Sequence, residues 1–182
     1  MEPSQLVLEP LRTDEEFALY RGEHSNQPGS PSVLLLTPAS TRPARETLKK
    51  IEHEYSLRDE LDSAWAVRSL ALSEQRGQTT LVLEDPGGEP LDLLLEAPME
   101  LGQLLRFAMG LSAALVQLHA RRLIHKEIKP ANVLVNPSTG QVWLMGFGIA
   151  SRLPRQRQTP EPPEFIMSNI NLTVTGCCLF WC

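Results

Sequence analysis

The chain has 182 residues, 42% of them hydrophobic and 21% charged, so it holds material for about one packed domain and lacks the composition of a disordered chain. Its formal net charge of −5 argues against nucleic acid or an anionic membrane as the main partner, since both need a concentrated basic face. The opening MEPSQLVLEP carries no signal-peptide pattern, and the longest apolar stretch, Phe107 to Val116, is broken by Gly110 and Ser112 and is too short to span a bilayer; the expected compartment is the cytoplasm.

In chain order, three short apolar runs read as strands: Leu6 to Leu8, Ser32 to Thr37 and Thr80 to Glu84. Between the second and third, a helix is expected over Ala44 to Leu61. Ser40 or Thr41 ahead of Pro43 marks its start, and Leu48, Ile51 and Tyr55 share one face. After the turn DPGGEP, a second helix is expected over Pro98 to Ala120. Leu104, Ala108, Leu111, Leu115 and Leu118 recur at spacings of four and three and form its stripe. Val133 to Val135 and Val142 to Met145 follow as a hairpin closed by NPSTG. The order predicts an α+β fold, sheet-rich first and helical second.

From Pro154 the character changes. PRQRQTPEPPEF holds four prolines and reads as an extended, solvated segment, ahead of a proline-rich docking motif as the alternative. Cys177, Cys178 and Cys182 crowd the last six residues, which is neither a disulfide framework nor a zinc-ligand spacing. Leu179, not cysteine, stands fourth from the end, so this is no prenylation box.

HKEIKPAN, His125 to Asn132, resembles the catalytic loop H-R-D-x-K-P-x-N of protein kinases, and GFG, Gly146 to Gly148, stands where their D-F-G would be, with a hairpin between. The pattern is especially similar to the kinase-like domain that opens certain large bacterial and fungal signalling proteins, ahead of an ATPase region and a sensor histidine kinase. The resemblance covers roughly Leu6 to Ile166 and implies a two-lobed fold. Residues 1–85 would be a complete small lobe, 86–153 the start of the large lobe, and 154–182 a proline-rich activation-segment remnant with an unmatched tail.

The resemblance also assigns residues to the parts of phosphoryl transfer, a reaction that needs positioning and charge neutralisation more than covalent help. The three glycine positions of the phosphate-covering loop fall on Arg12, Asp14 and Phe17, and the acidic run Asp14 to Glu16 would repel a triphosphate. The strand lysine falls on Leu36. Its helix partner falls on Glu54, which without a cation reads as an ordinary solvated helix residue. The magnesium-binding aspartate falls on Gly146, which has no side-chain oxygen. Asn132 keeps the second-metal position and reads as capping its own loop. Glu127 stands in for the catalytic base, Lys129 matches the loop lysine, and His125 matches a structural histidine.

Three readings follow. The favoured one is a truncated, non-catalytic kinase-like module without cofactor, which binds a protein partner; an unknown partner or missing domain would cover the Pro98 to Ala120 helix. The second is an atypical serine/threonine kinase using ATP and magnesium. The third is a relic of a disrupted gene.

Overall fold

The structure is a computed structural model that describes residues 6–24, 31–75 and 77–153. Five antiparallel strands come first: β1 (Leu6–Thr13), β2 (Phe17–His24), β3 (Val33–Pro38), β4 (Ser69–Gln75) and β5 (Gln78–Glu84). Their spatial order is β1-β2-β3-β5-β4. The central strand β3 reads VLLLTP and is buried almost throughout, which is why it is a continuous apolar run and not an alternating one.

Helix α1 (Arg45–Ser56) packs near β4 and β5 and is shorter than the expected Ala44 to Leu61. Its N-cap is Ala44, with no side-chain cap; Ser40 instead closes a local turn by accepting the Arg42 N–H at 3.1 Å. The buried residues of α1 are Thr47, Ile51 and Glu54, so the stripe expected from Leu48, Ile51 and Tyr55 is rotated towards the polar positions.

The second half comprises β6 (Glu89–Pro90), α2 (Leu91–Leu94), α3 (Leu101–Ala120), β7 (Leu123–Ile124), β8 (Val133–Val135), β9 (Val142–Leu144) and β10 (Ser151–Arg152). A three-stranded sheet runs β6-β8-β9, and β7 pairs with β10. The β8–β9 turn works through Asn136, whose Oδ1 accepts the N–H groups of Ser138 and Thr139, and through Gly140 at φ 77°.

Helix α3 buries Phe107, Ala114 and Leu118 and contacts β7 and β9. Close approach needs Gly110, where a Cβ would lie 2.6 Å from Val142 Cγ2. The expected stripe is corrected here. Leu118 is buried and Leu111 and Leu115 pack partly on the core, but Leu104 and Ala108 are exposed. Leu101, Leu105, Met109 and Val116 are exposed as well, so α3 keeps an uncovered apolar face. The helix runs through Gly110 and Ser112 without a break. Among the described residues it is the one helix long and apolar enough, by length and composition, to cross a membrane, so the length argument made from Phe107 to Val116 does not hold.

Two hydrophobic cores tie the halves together. Leu57, Leu61, Trp65 and Ala66, which follow α1, pack with Phe107, Leu118, Val133 and Leu144. Leu134, Trp143 and Met145 in turn pack with Leu34, Leu36 and Leu81 of the first sheet. The segment after α1 runs beside β9: the Leu144 N–H donates to the Trp65 carbonyl at 2.9 Å and the Val67 N–H to the Leu144 carbonyl at 2.8 Å. The packing therefore crosses residue 85 in both directions. The proline-rich segment and the cysteines, in 154–182, lie outside the described residues.

Candidate functional site

The floor of the site is the loop after β7. His125 is buried beside Phe147, their ring centres 4.7 Å apart. Its Nε2 lies 2.9 Å from the Met145 carbonyl and its Nδ1 3.3 Å from the Glu127 N–H, so the proton belongs on Nε2 and Nδ1 accepts. Burial pushes the His125 imidazole below its ordinary pKa, against the carbonyl bond and the Glu127 charge, and keeps it neutral. Lys126 turns the chain at φ 71°, a strained value for a side-chain-bearing residue. A 3-10 turn, Pro130–Asn132, follows. Asn132 is buried; its Nδ2 donates to the Glu127 carbonyl at 2.9 Å and its own carbonyl accepts the Met145 N–H at 3.0 Å. Lys129 Nζ pairs with Glu127 Oε1 at 2.9 Å, both side chains half exposed.

The back wall is the Gly146-Phe147-Gly148 segment against α1. Gly146 has φ 77°, and a Cβ there would sit 2.7 Å from Asn132 Cγ. Gly148 admits α1 itself: a Cβ would lie 2.8 Å from Lys50 Cβ and 3.1 Å from the Lys50 carbonyl oxygen. Glu54 is fully buried, accepting the Gly146 N–H at 3.2 Å, which overturns its reading as a solvated helix residue. Burial pushes its carboxyl up to about 7, opposed by the Phe147 and Gly146 N–H groups and reinforced by the Glu127 charge. Leu36, in β3, pairs in register with Leu19 and Leu81 and belongs to the core with Ile51 and Met145.

The roof is the β1–β2 hairpin. Arg12 lies in β1 and Phe17 opens β2, so these two positions are strand residues and the connecting tip is only Asp14 to Glu16. Asp14 Oδ1 accepts the N–H groups of Glu16 at 2.9 Å and Phe17 at 2.7 Å, which fixes the tip. Burial would raise the Asp14 carboxyl, but those N–H groups and the charges of Arg12 and Lys129 outweigh it and hold the group below its ordinary pKa. Arg12 Nη1 donates to the Ala131 carbonyl at 2.6 Å, bridging roof to floor, and Arg12 Nη2 lies 3.4 Å from Asp14 Oδ2. Glu16 pairs with Lys50 Nζ at 2.6 Å and accepts from Thr47 Oγ1 at 3.1 Å.

A cavity of about 320 Å³ lies between these parts. It brings together every site residue expected from the sequence: Arg12, Asp14 and Phe17 above, Leu36, Glu54 and Gly146 behind, and Glu127, Lys129 and Asn132 below. Three further polar residues, Glu16 of the acidic run among them, complete the picture. Lys50 and Glu16 line the same cavity, and Thr47 supports Glu16. The acidic run 14–16 hinted at Glu16, but nothing in the sequence distinguishes Lys50 from the adjacent Lys49 except its turn of α1. Among the described residues, no group of three or more His, Cys, Asp or Glu is arranged to hold a metal ion.

A five-stranded sheet with one helix, then a long helix, an H-x-E loop closed by a 3-10 turn, a hairpin and a G-F-G segment is the element order of a protein kinase domain. The family model described as protein kinase domain matches residues 37–173, and the chain belongs to that family. The match begins inside β3, so the hairpin roof stands outside it. Among curated proteins, the chain is 28% identical over 147 residues to the serine/threonine-protein kinase pkn2 of Myxococcus xanthus, covering 79% of this chain and 18% of that protein. It is 30% identical over 122 residues to mitogen-activated protein kinase kinase 7 of Arabidopsis thaliana, covering 66% of this chain and 37% of that protein. Over 74 residues, 38% of the chain, it is 42% identical to the serine/threonine-protein kinase PknA of Mycobacterium tuberculosis, 16% of that protein. The chain thus spans well under half the length of these relatives.

Proposed function

We propose that the chain is a pseudokinase: a kinase-like module, with a small lobe and the first part of a large lobe, that does not transfer phosphate and acts by binding a protein partner. The carrying observation is that each of the three cations lining the cavity is already paired with a carboxylate of the chain: Arg12 with Asp14, Lys50 with Glu16 and Lys129 with Glu127. Magnesium-ATP does not fit this set. Position 146 offers no oxygen and no room for one without moving Asn132, and Leu36 offers no charge. The partner, or a further domain, would cover the apolar face of α3. The net charge of −5 supports a reading without nucleic acid, and the contacts of α3 with β7 and β9 support a helix packed on this chain over a membrane span; the cytoplasm is the compartment proposed with that reading. The similarity to the kinase-like domain of larger bacterial and fungal signalling proteins rests on HK, NPSTGQV and GFGIAS.

One observation favours the second reading, an atypical active serine/threonine kinase. Lys50 lines the cavity together with Leu36, Glu54, Glu127 and Lys129, so the cleft holds a lysine although position 36 carries none. Freed from Glu16, it would be the candidate phosphate ligand of that enzyme. Incubating the chain with labelled ATP, magnesium and a generic protein substrate separates the readings: the pseudokinase leaves the substrate unlabelled, and turnover that disappears in Lys50→Gln establishes the kinase instead.

A further inference from the structure

We propose that the hairpin tip is a built-in counter-anion: Asp14 and Glu16 take up the cations of an anion site in the cleft and latch the roof onto the floor and α1. This rests on the non-catalytic reading and names what stands in place of phosphate. The cations come from three separate elements. Arg12 is on β1, Lys50 on α1 and Lys129 on the loop before the 3-10 turn, and all line one cavity. Cations converging from three elements repel one another unless an anion lies among them. The tip supplies it for Arg12 and Lys50, while Glu127 holds Lys129 at 2.9 Å. Glu16 binds Lys50 at 2.6 Å and the Thr47 hydroxyl at 3.1 Å, while Asp14 lies 3.4 Å from Arg12 and also feels the Lys129 charge.

The tip is pre-shaped for this. With the Glu16 and Phe17 N–H groups on Asp14 Oδ1, and the Asp14 N–H on the Phe17 carbonyl at 2.9 Å, the three-residue connection has little freedom to lose. Neutralising both tip carboxylates would leave Arg12, Lys50 and Lys129 facing Glu15, Glu127 and a Glu54 that burial keeps largely neutral below about pH 7. Such a cleft favours an oligophosphate or a comparable polyanion.

The test is the full chain carrying Asp14→Asn and Glu16→Gln, which preserve shape and the turn-closing acceptor. It is titrated with inorganic tripolyphosphate without magnesium, at low ionic strength and slightly acidic pH, and followed by thermal unfolding. The variant should gain about 5 °C at saturation, lose that gain in about 1 M salt, and lose it when Lys50→Gln is added; the unaltered chain should show no gain. Equal gains in both chains, or a cooperatively unfolding variant with no gain, would overturn the proposal. A second measurement needs no variant. The Ala39 N–H donates to the Glu16 carbonyl at 2.9 Å, so its exchange in the unaltered chain should quicken on going from about 20 mM to about 1 M salt as the tip is released, and unchanged protection would also overturn the proposal. Magnesium-dependent ATP turnover by the unaltered chain would sink the pseudokinase reading instead, and leaves the magnesium-free tripolyphosphate comparison interpretable by itself.

Discussion

The floor and the roof of the cleft are built on opposite principles. In the floor, His125, Asn132, Met145 and Phe147 satisfy one another through buried hydrogen bonds and a ring contact, and none of those bonds needs a ligand. In the roof, Arg12, Asp14, Glu16 and Lys50 are held by partly exposed charges that water and salt can weaken. The difference teaches why a kinase-like loop motif can persist without reporting on chemistry. Its histidine and asparagine hold the backbone together, so losing them costs the fold, whereas roof residues can change with little penalty.

The sharpest way to break that comparison is Phe147→Ala. Phe147 is wholly buried between His125 and Trp65, and removing the ring should cost about 3–5 kcal/mol in chemical denaturation. A loss near zero would mean that the floor is not the rigid part.

Next in size is Glu54. The folded chain keeps this carboxyl neutral up to about 7, while the unfolded chain ionises it near 4.5, so its contribution to stability is full below that lower value and is lost as pH rises through the higher one. The loss is on the order of 3 kcal/mol, and Glu54→Gln should remove that part of the pH dependence and be the more stable form at pH 8. Denaturant midpoints at pH 5 and pH 8 check it; identical pH profiles for the two chains would show the carboxyl to be solvated.

Gly146→Ala should cost about 1–3 kcal/mol, since φ 77° is strained for alanine and the new methyl meets Asn132. Gly146→Asp shares that obstacle. It should leave phosphotransfer at background, as should Leu36→Lys and Glu127→Asp singly, because groups that act as a unit are not restored one at a time. Strong labelling from any one of the three would misplace the defects. The smallest effect belongs to the roof. Arg12→Met removes the bond to the Ala131 carbonyl and should cost about 1 kcal/mol, less in high salt. A cost equal to that of Phe147→Ala would erase the distinction between the two regions.

Much of this was readable in the sequence where local pattern and burial agree. β3 and β8 appear within a residue of their expected bounds because both are mainly apolar runs buried almost throughout. β2 is hard to read because FALYRGEH mixes apolar and charged residues, and its first residue, Phe17, falls on a glycine position of the phosphate-covering loop in the resemblance. β4 is hard to read from sequence because Ser69 faces inward while Leu70 and Leu72 are exposed, the reverse of the usual alternation at a sheet edge. At the site, motif spacing located the floor residues and Gly146. It could not show that Glu54 is buried or that Lys50 and Glu16 meet, since both depend on how α1 lies against the Gly148 backbone.

The most direct test of the account is calorimetric titration of the full chain with millimolar magnesium-ATP near neutral pH. No saturable heat and no stabilisation are expected, where a ligand at a hundredfold its dissociation constant would add about 2.7 kcal/mol. A saturable, magnesium-dependent signal that Lys50→Gln abolishes would contradict it, and would make the cleft a nucleotide site.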